Sequence, residues 1–389
     1  MFLRRKKSPV SRDEKKIDAL LSRCVAEAIP SKDSLRALLL SGRRLTIKLG
    51  IDPTSPNIHL GRTVPLLKLR EFQDLGHNVV FIAGDFTAVI GDTSDKDSER
   101  PMLAYKAIEK NMGTYRAQVG KILDLKHAKF KRNSTWLHTL TYREIGEQAD
   151  VFSIADFIAR DNIKRRLDAG KRVSLREVLY PLMQGYDSVA IKADVEIGGS
   201  DQRFNILAGR PLQEHYGQKP QHALLLSLIT SGDGRKMSSS WGNTVNITDA
   251  PGEMFGKVMS VPDEFLESYF MHVTRIDEQK VRALMAGHPK EAKMGLAEEI
   301  VRMYHGDDAA AGAKKDFEST FSKGEIPADM PEIVLAGRPL PDALVLAKIV
   351  TSKSDYRRLE ESGAITTLSE DESGSVMRIG KHRFVKIKK

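Results

Sequence analysis

From residue 45 to about residue 231, short apolar runs alternate with longer amphipathic stretches. The runs at 45–51, 79–83, 195–197 and 223–226 have strand length, and the stretches 63–75, 100–123 and 201–216 carry helical spacing. Such alternation predicts an α/β fold on a mostly parallel, doubly wound sheet, with ligands outside the carboxyl ends of its strands. Pro65 falls inside the first helical stretch and suits it only near the helix start. Residues 1–44 read as a polar, helix-forming lead-in.

Residues 248–323 hold no good strand run. The segments 251–258, 263–272, 277–286, 290–305 and 308–322 read as helices separated by Gly, Pro and Thr. Pro327, Pro331, Pro339 and Pro341 then mark a linker. Beyond it the pattern predicts short helices at 343–350 and 352–362 and short strands at 376–379 and 384–387. The chain shows no long internal repeat and no low-complexity tract.

The 389 residues, 41% hydrophobic and 29% charged, suffice for two or three domains with their own cores. One cysteine, Cys24, excludes an intrachain disulfide framework and fits a reducing cytoplasm. No apolar run approaches the roughly 18 residues that span a bilayer. Residues 1–7 are basic but lack the apolar core of a signal peptide, so the expected location is cytoplasmic, with no membrane partner. The net charge of +9 suits a polyanionic partner. Residues 378–389 carry six Lys or Arg and no carboxylate, and Arg160, Lys164, Arg165, Arg166, Lys171 and Arg172 form a second cluster. Either cluster also reads as an ordinary solvated face.

Candidate chemistry starts at Leu49-Gly50-Ile51-Asp52-Pro53-Thr54-Ser55-Pro56-Asn57-Ile58-His59-Leu60-Gly61-Arg62. This reads as a strand that breaks at Asp52-Pro53, a turn, and a helix opening near His59. A helix N-terminus offers unpaired N–H groups and partial positive charge, a natural seat for phosphate. Thr54 and His59 can add directional donors, and Gly61 allows close approach. About 175 residues later, Gly234-Arg235-Lys236-Met237-Ser238-Ser239-Ser240 is a hydroxyl-rich loop able to close over phosphates. Tyr180, Gln184 and Asp187 are spaced for one helical face beside Leu179, Leu182 and Met183. Gly198-Gly199-Ser200-Asp201-Gln202 follows a strand and opens a helix, where Asp201 also reads as a simple cap.

The first two stretches resemble the HIGH and KMSKS signatures of class I aminoacyl-tRNA synthetases. Together with Gly84-Asp85-Phe86-Thr87-Ala88-Val89-Ile90-Gly91-Asp92, Tyr180-Pro181-Leu182-Met183-Gln184-Gly185-Tyr186-Asp187 and Ile197-Gly198-Gly199-Ser200-Asp201-Gln202, they resemble the bacterial-type tyrosyl-tRNA synthetase family from about residue 15 to the C-terminus. The resemblance implies a Rossmann-like catalytic domain over 1–245, an α-helical anticodon-binding domain over 246–325, the Pro-rich linker over 326–341, and a small α+β domain over 342–389. Ser354-Asp355-Tyr356-Arg357-Arg358 and Arg378-Ile379-Gly380-Lys381 make that last domain similar to the S4 RNA-binding fold. It further implies tyrosine–tRNA ligase activity: L-tyrosine and ATP, with Mg2+, give tyrosyl-adenylate and pyrophosphate, and tyrosine then passes to the 3′ end of tRNA(Tyr). A homodimer is implied. No tightly bound cofactor and no protein-held metal are expected.

By the same resemblance, Thr54, His59, Arg62, Lys236 and Ser239 stabilise the reacting phosphates. Asp52, Pro53, Gly61, Lys96, Arg100, Gly199, Asp201 and Met237 hold ATP, with Asp201 toward the ribose. Thr87, Asp92, Tyr180, Gln184, Asp187 and Gln202 hold tyrosine, Asp187 at the phenol. Arg357, Arg358, Arg378, Lys381 and Arg383 grip RNA. Two positions depart from the signatures: Arg62 stands where His is usual, and Ser239 where a second Lys is usual. Lys48 aligns where the more familiar branch places another Tyr near the phenol. Two other readings stay open: a tryptophanyl-tRNA synthetase, which Asp187 and the tail oppose, and a non-catalytic RNA-binding relative.

Overall fold

The apolar runs become the middle of a sheet. In the computed structural model, which describes residues 9–93, 102–231, 234–235, 237, 243–322, 330–335, 337–347, 349–371, 374–380 and 383–388, the first half contains β1 (Val25–Ile29), β2 (Thr46–Ile51), β3 (Asn78–Ala83), β4 (Lys129–Arg132), β5 (Val195–Gly199) and β6 (His222–Leu226). Their order is β1-β6-β5-β2-β3-β4; β1 is antiparallel to β6 and every other pair is parallel. Ile47, Leu49, Phe81, Ile197 and Leu224 are buried, as strands covered on both faces require.

Two strands carry no apolar run. In β4, Lys-Phe-Lys-Arg, Phe130 is the sole apolar residue, 5.2 Å from the Phe81 ring with Arg116 over its face. The edge strand β1 lies in the stretch expected to be helical, directly after Cys24, whose φ is 59°. The helix expected at 63–75 is Leu60–Asp74, so Pro65 lies well inside it. The stretch 100–123 is not one helix: Tyr105–Met112 and Tyr115–Gly120 are separated at Gly113-Thr114, where the Thr114 hydroxyl donates to the Pro56 carbonyl at 3.0 Å.

The chain divides into two units, 1–248 with 268–276, and 249–267 with 277–389. Residues 268–276, expected in the helical part, count with the first unit. There the Arg23 guanidinium donates to the carbonyls of Phe270, Met271, Thr274 and Ile276 at 2.7–2.9 Å. Carbonyls at a helix C-terminus lack intrahelical partners, and one arginine satisfies several here.

In the second unit, Pro251–Met259, Glu278–Met285, Pro289–His305 and Asp307–Ser322 match the expected helices closely. Beyond them are β7 (Glu332–Val334), helices Leu340–Leu346 and Lys353–Glu361, β8 (Ile365–Asp371), β9 (Gly374–Ile379) and β10 (Arg383–Lys388). The sheet order is β7-β10-β9-β8, with β7 parallel to β10. Its own apolar core holds Ile333, Leu344, Val350, Ile379, Val385 and Ile387. Thus β7 lies inside the stretch 326–341 that the sequence reads as linker.

His77, just before β3, is 4% exposed, and its Nδ1 accepts from the Leu45 backbone N–H. Burial, aided by the nearby Arg44 charge, pushes its pKa down to about 4. An unfolded histidine titrates near 6.5. The unfolded chain therefore takes up this proton first, and the stability His77 supports is full above that value and falls away between roughly pH 6.5 and 4. On going from pH 7 to 5, a His77→Gln protein is expected to lose less stability than the parent, by about 2 kcal/mol. Urea unfolding followed by tryptophan fluorescence at both pH values measures that difference.

Candidate active site

A cavity of about 410 Å³ opens at the carboxyl ends of β2, β5 and β6, beside the start of helix Leu60–Asp74 and one face of helix Leu175–Ile191. Its floor is the carboxyl of Asp187, which accepts from Trp136 Nε1 at 2.8 Å and Asn133 Nδ2 at 3.3 Å. Burial raises the Asp187 pKa to about 7; Glu196 pushes the same way, against Lys48, Trp136 and Asn133. Asn133 also donates to Thr87 Oγ1 at 2.9 Å. The turn carrying Thr87 is tied to the residues on either side of Asn133 by the buried Asp85, which accepts from Phe86 N, Ser134 N, Ser134 Oγ and Arg132 Nε.

Higher in the cavity, Asp52 accepts from Thr87 Oγ1 at 2.7 Å and from the Tyr180 hydroxyl at 3.0 Å. Only glycine fits at position 84, because a Cβ there would collide with both Asp52 Oδ1 and Thr87 Oγ1. Burial, reinforced by the Asp52 charge, pushes the Tyr180 hydroxyl well above its usual pKa. That hydroxyl therefore stays protonated, donates a hydrogen bond to Asp52, and leaves its oxygen as an acceptor. Opposite, Asp92 accepts from Gln202 Nε2 at 2.8 Å and Asn205 Nδ2 at 3.3 Å.

At the helix start, His59 is the N-cap residue without a side-chain cap bond, and a β-bridge joins it to Asn246. Arg62 forks between the Tyr115 hydroxyl (2.6 Å) and Thr54 Oγ1 (2.9 Å), so it positions Thr54. The Gly61 N–H reaches Met237 Sδ at 3.4 Å. Gly199 lies beside Asp201 so closely that a Cβ would strike its carboxylate.

Of the residues singled out in the sequence, Asp52, Thr54, His59, Gly61, Arg62, Thr87, Asp92, Tyr180, Gln184, Asp187, Gly199, Asp201, Gln202 and Met237 all line this one cavity. Pro53 does not; it is buried, and its carbonyl accepts from Asn111 Nδ2 at 3.0 Å. Lys96, Arg100, Lys236, Ser239 and Lys381 lie outside the described residues. In the tail, Arg357, Arg358 and Arg378 are exposed, whereas Arg383 turns to the Ile349 carbonyl. Among the described residues no group of three side chains could hold a metal. Sequence reasoning missed Asn133 and Trp136, which follow the unrecognised strand β4 and share no periodicity with other site residues.

The family described as tRNA synthetases class I (W and Y) matches residues 40–322. The chain is 43% identical to the tyrosine–tRNA ligase of Moorella thermoacetica over 390 residues, covering 95% of this chain and 94% of that one. It is 40% identical to the tyrosine–tRNA ligase of Thermotoga maritima, with 95% and 96% covered. Among solved structures it is similar to a C-terminally truncated mitochondrial tyrosyl-tRNA synthetase of Coccidioides posadasii (TM-score 0.65, 23% identity, 78% of this chain and 94% of that one). It is also similar to the tyrosyl-tRNA synthetase of Archaeoglobus fulgidus complexed with L-tyrosine (TM-score 0.61, 21% identity, 78% and 100% covered). Those structures bear on the fold alone, but identity at this level along nearly the whole sequence decides the family: the chain belongs to the class I tRNA synthetases of the W and Y group.

Proposed function

We propose that the chain is a tyrosine–tRNA ligase that activates L-tyrosine with ATP and transfers it to the 3′ end of tRNA(Tyr). The observation that carries the amino-acid assignment is the floor of the cavity. A buried carboxyl, steadied by Trp136 and Asn133, is suited to a phenolic O–H and ill suited to an apolar ring edge. The Tyr180 oxygen, Asp92 and Gln184 offer acceptors for the substrate's α-ammonium group; Gln202 holds Asp92, and Thr87 holds the Asp52 carboxylate to which Tyr180 donates.

Activation requires the amino acid's carboxylate to attack the α-phosphate of ATP and pyrophosphate to leave. No general acid or base is obligatory, so the protein's part is positioning and charge stabilisation. ATP enters as its Mg2+ complex. In this reading Thr54, His59 and the helix start hold its phosphates, supported by the Arg62 bond to Thr54, and Asp52, Gly61, Gly199, Asp201 and Met237, which line the same cavity, hold the rest of the nucleotide. Lys96, Arg100, Lys236 and Ser239 add charge and hydroxyls in this reading. In the second step a hydroxyl of the tRNA 3′ terminus attacks the adenylate carbonyl and AMP departs.

The span 246–325 would face the anticodon region, and the tail would hold tRNA backbone through Arg357, Arg358 and Arg378. A homodimer fits the exposed apolar side chains of Tyr142, Ile154, Leu167 and Leu175, and light scattering should return twice the chain mass. No helix among the described residues is long and apolar enough to cross a membrane; the reading places the protein in the cytoplasm. Charging of unfractionated bacterial tRNA with labelled amino acids tests the assignment. Incorporation of tyrosine but not tryptophan is expected, and tryptophan incorporation would overturn it.

A further inference from the structure

At the wall of the amino-acid pocket, whose lining includes Glu196, two charged side chains are enclosed in the sheet. Lys48 on β2 and Glu196 on β5 are register partners, 0% and 1% exposed, with Nζ and Oε1 3.0 Å apart. Taking two charges from water costs enough that an apolar pair of similar volume is often at least as stable. Stability alone therefore does not account for the pair, and its hydrogen bonds show what else it does. The ammonium donates to the Gln184 carbonyl at 2.7 Å and to Ser188 Oγ at 2.8 Å, besides Glu196. Glu196 Oε1 accepts from Gln184 Nε2 at 3.1 Å as well as from Lys48, and Oε2 accepts from Ser188 Oγ at 3.0 Å and Gln221 Nε2 at 2.6 Å.

A carboxylate only accepts hydrogen bonds. The end of the Gln184 amide beside Glu196 must therefore be its NH2, which leaves the amide oxygen for the cavity that Gln184 lines. Turned over, the same amide would present two N–H donors toward a substrate ammonium and repel it. We propose that the Lys48–Glu196 pair is a positioning device which locks the Gln184 amide with its oxygen toward the substrate, so that the site selects a free α-ammonium group. This rests on the proposed amino-acid pocket and adds to it two residues that do not bind the ammonium themselves.

The test compares tyrosine in pyrophosphate exchange with inhibition by 3-(4-hydroxyphenyl)propanoate, which keeps the phenol and carboxylate but lacks the ammonium. In a Lys48→Met/Glu196→Leu protein both charges go together, so no lone buried charge remains. The KM for tyrosine should rise ~10- to 100-fold, the scale of a hydrogen bond to a charged group, with kcat much less affected. The inhibition constant of the propanoate should stay unchanged. Lys48→Met/Glu196→Gln, which likewise leaves no lone charge but can still offer an oxygen to Gln184 Nε2, should restore most of the tyrosine affinity. Equal weakening of tyrosine and propanoate, or unfolding of the first double variant while Lys48→Met/Glu196→Gln behaves no better, would reduce the pair to a structural element and overturn the proposal. An unchanged tyrosine KM in the first double variant would overturn it too. Gln184→Ala separates the two levels: if it raises the tyrosine KM and the first double variant does not, the pair's role fails. If neither does, the assignment of Gln184 to the ammonium fails.

Discussion

Asp187→Asn is expected to lower kcat/KM for tyrosine on the order of 10- to 100-fold while leaving phenylalanine, which has no hydroxyl, nearly unaffected. The carboxyl is almost fully buried and already steadied by two donors, so its remaining capacity faces the cavity. Asparagine keeps the volume and one acceptor oxygen but loses the charge that strengthens a hydrogen bond from the phenol. The same group predicts a pH dependence. With its pKa raised by burial to about 7, Asp187 is protonated below neutrality and becomes the better acceptor as pH rises. In exchange assays kcat/KM for tyrosine should therefore climb through about pH 7, as a free-enzyme pKa, while that for phenylalanine stays flat. Unaltered tyrosine-over-phenylalanine preference in the variant would remove Asp187 from the phenol.

A chain ending at residue 330 should keep tyrosine activation close to that of the full protein yet charge tRNA at least about tenfold less well near physiological salt. The cut belongs there because β7 pairs with β10, so a truncation at 340 would strand one edge of the sheet. The tail has its own apolar core, and Arg357, Arg358 and Arg378 project from it. Lys and Arg contacts to phosphate give affinity that falls steeply with salt and carries little sequence information. The truncated protein's tRNA binding should accordingly depend less on salt. Equal loss of activation and charging would make the tail a folding element, and unchanged charging would mean it does not hold this tRNA.

What the sequence reveals divides along physical lines. Strands β2, β3, β5 and β6 are buried on both faces and read directly as apolar runs. Strand β4 does not, since Phe130 is its sole apolar residue, and β1 does not, since an edge strand with Glu27 outward resembles its helical neighbours. Local motifs located most of the polar lining of the cavity because strand ends and helix starts carry it. The Asp187 floor needed Asn133 and Trp136, which only tertiary structure brings there. The consequence of Arg62 was likewise hidden: one residue type at a signature position proves to be tied to Thr54 and Tyr115. The Lys48–Glu196 pair was hidden for a related reason. Single charges in two apolar strands read as interruptions until the parallel register sets them side by side.

The cavity is expected to activate tyrosine. ATP–pyrophosphate exchange on the purified full-length chain, run in parallel with tyrosine, tryptophan and phenylalanine and without tRNA, tests it most directly. Tyrosine should drive label from pyrophosphate into ATP, tryptophan should not, and phenylalanine should do so far more weakly than tyrosine. Exchange driven by tryptophan, or no exchange with any amino acid from a protein that still binds tRNA, would contradict it.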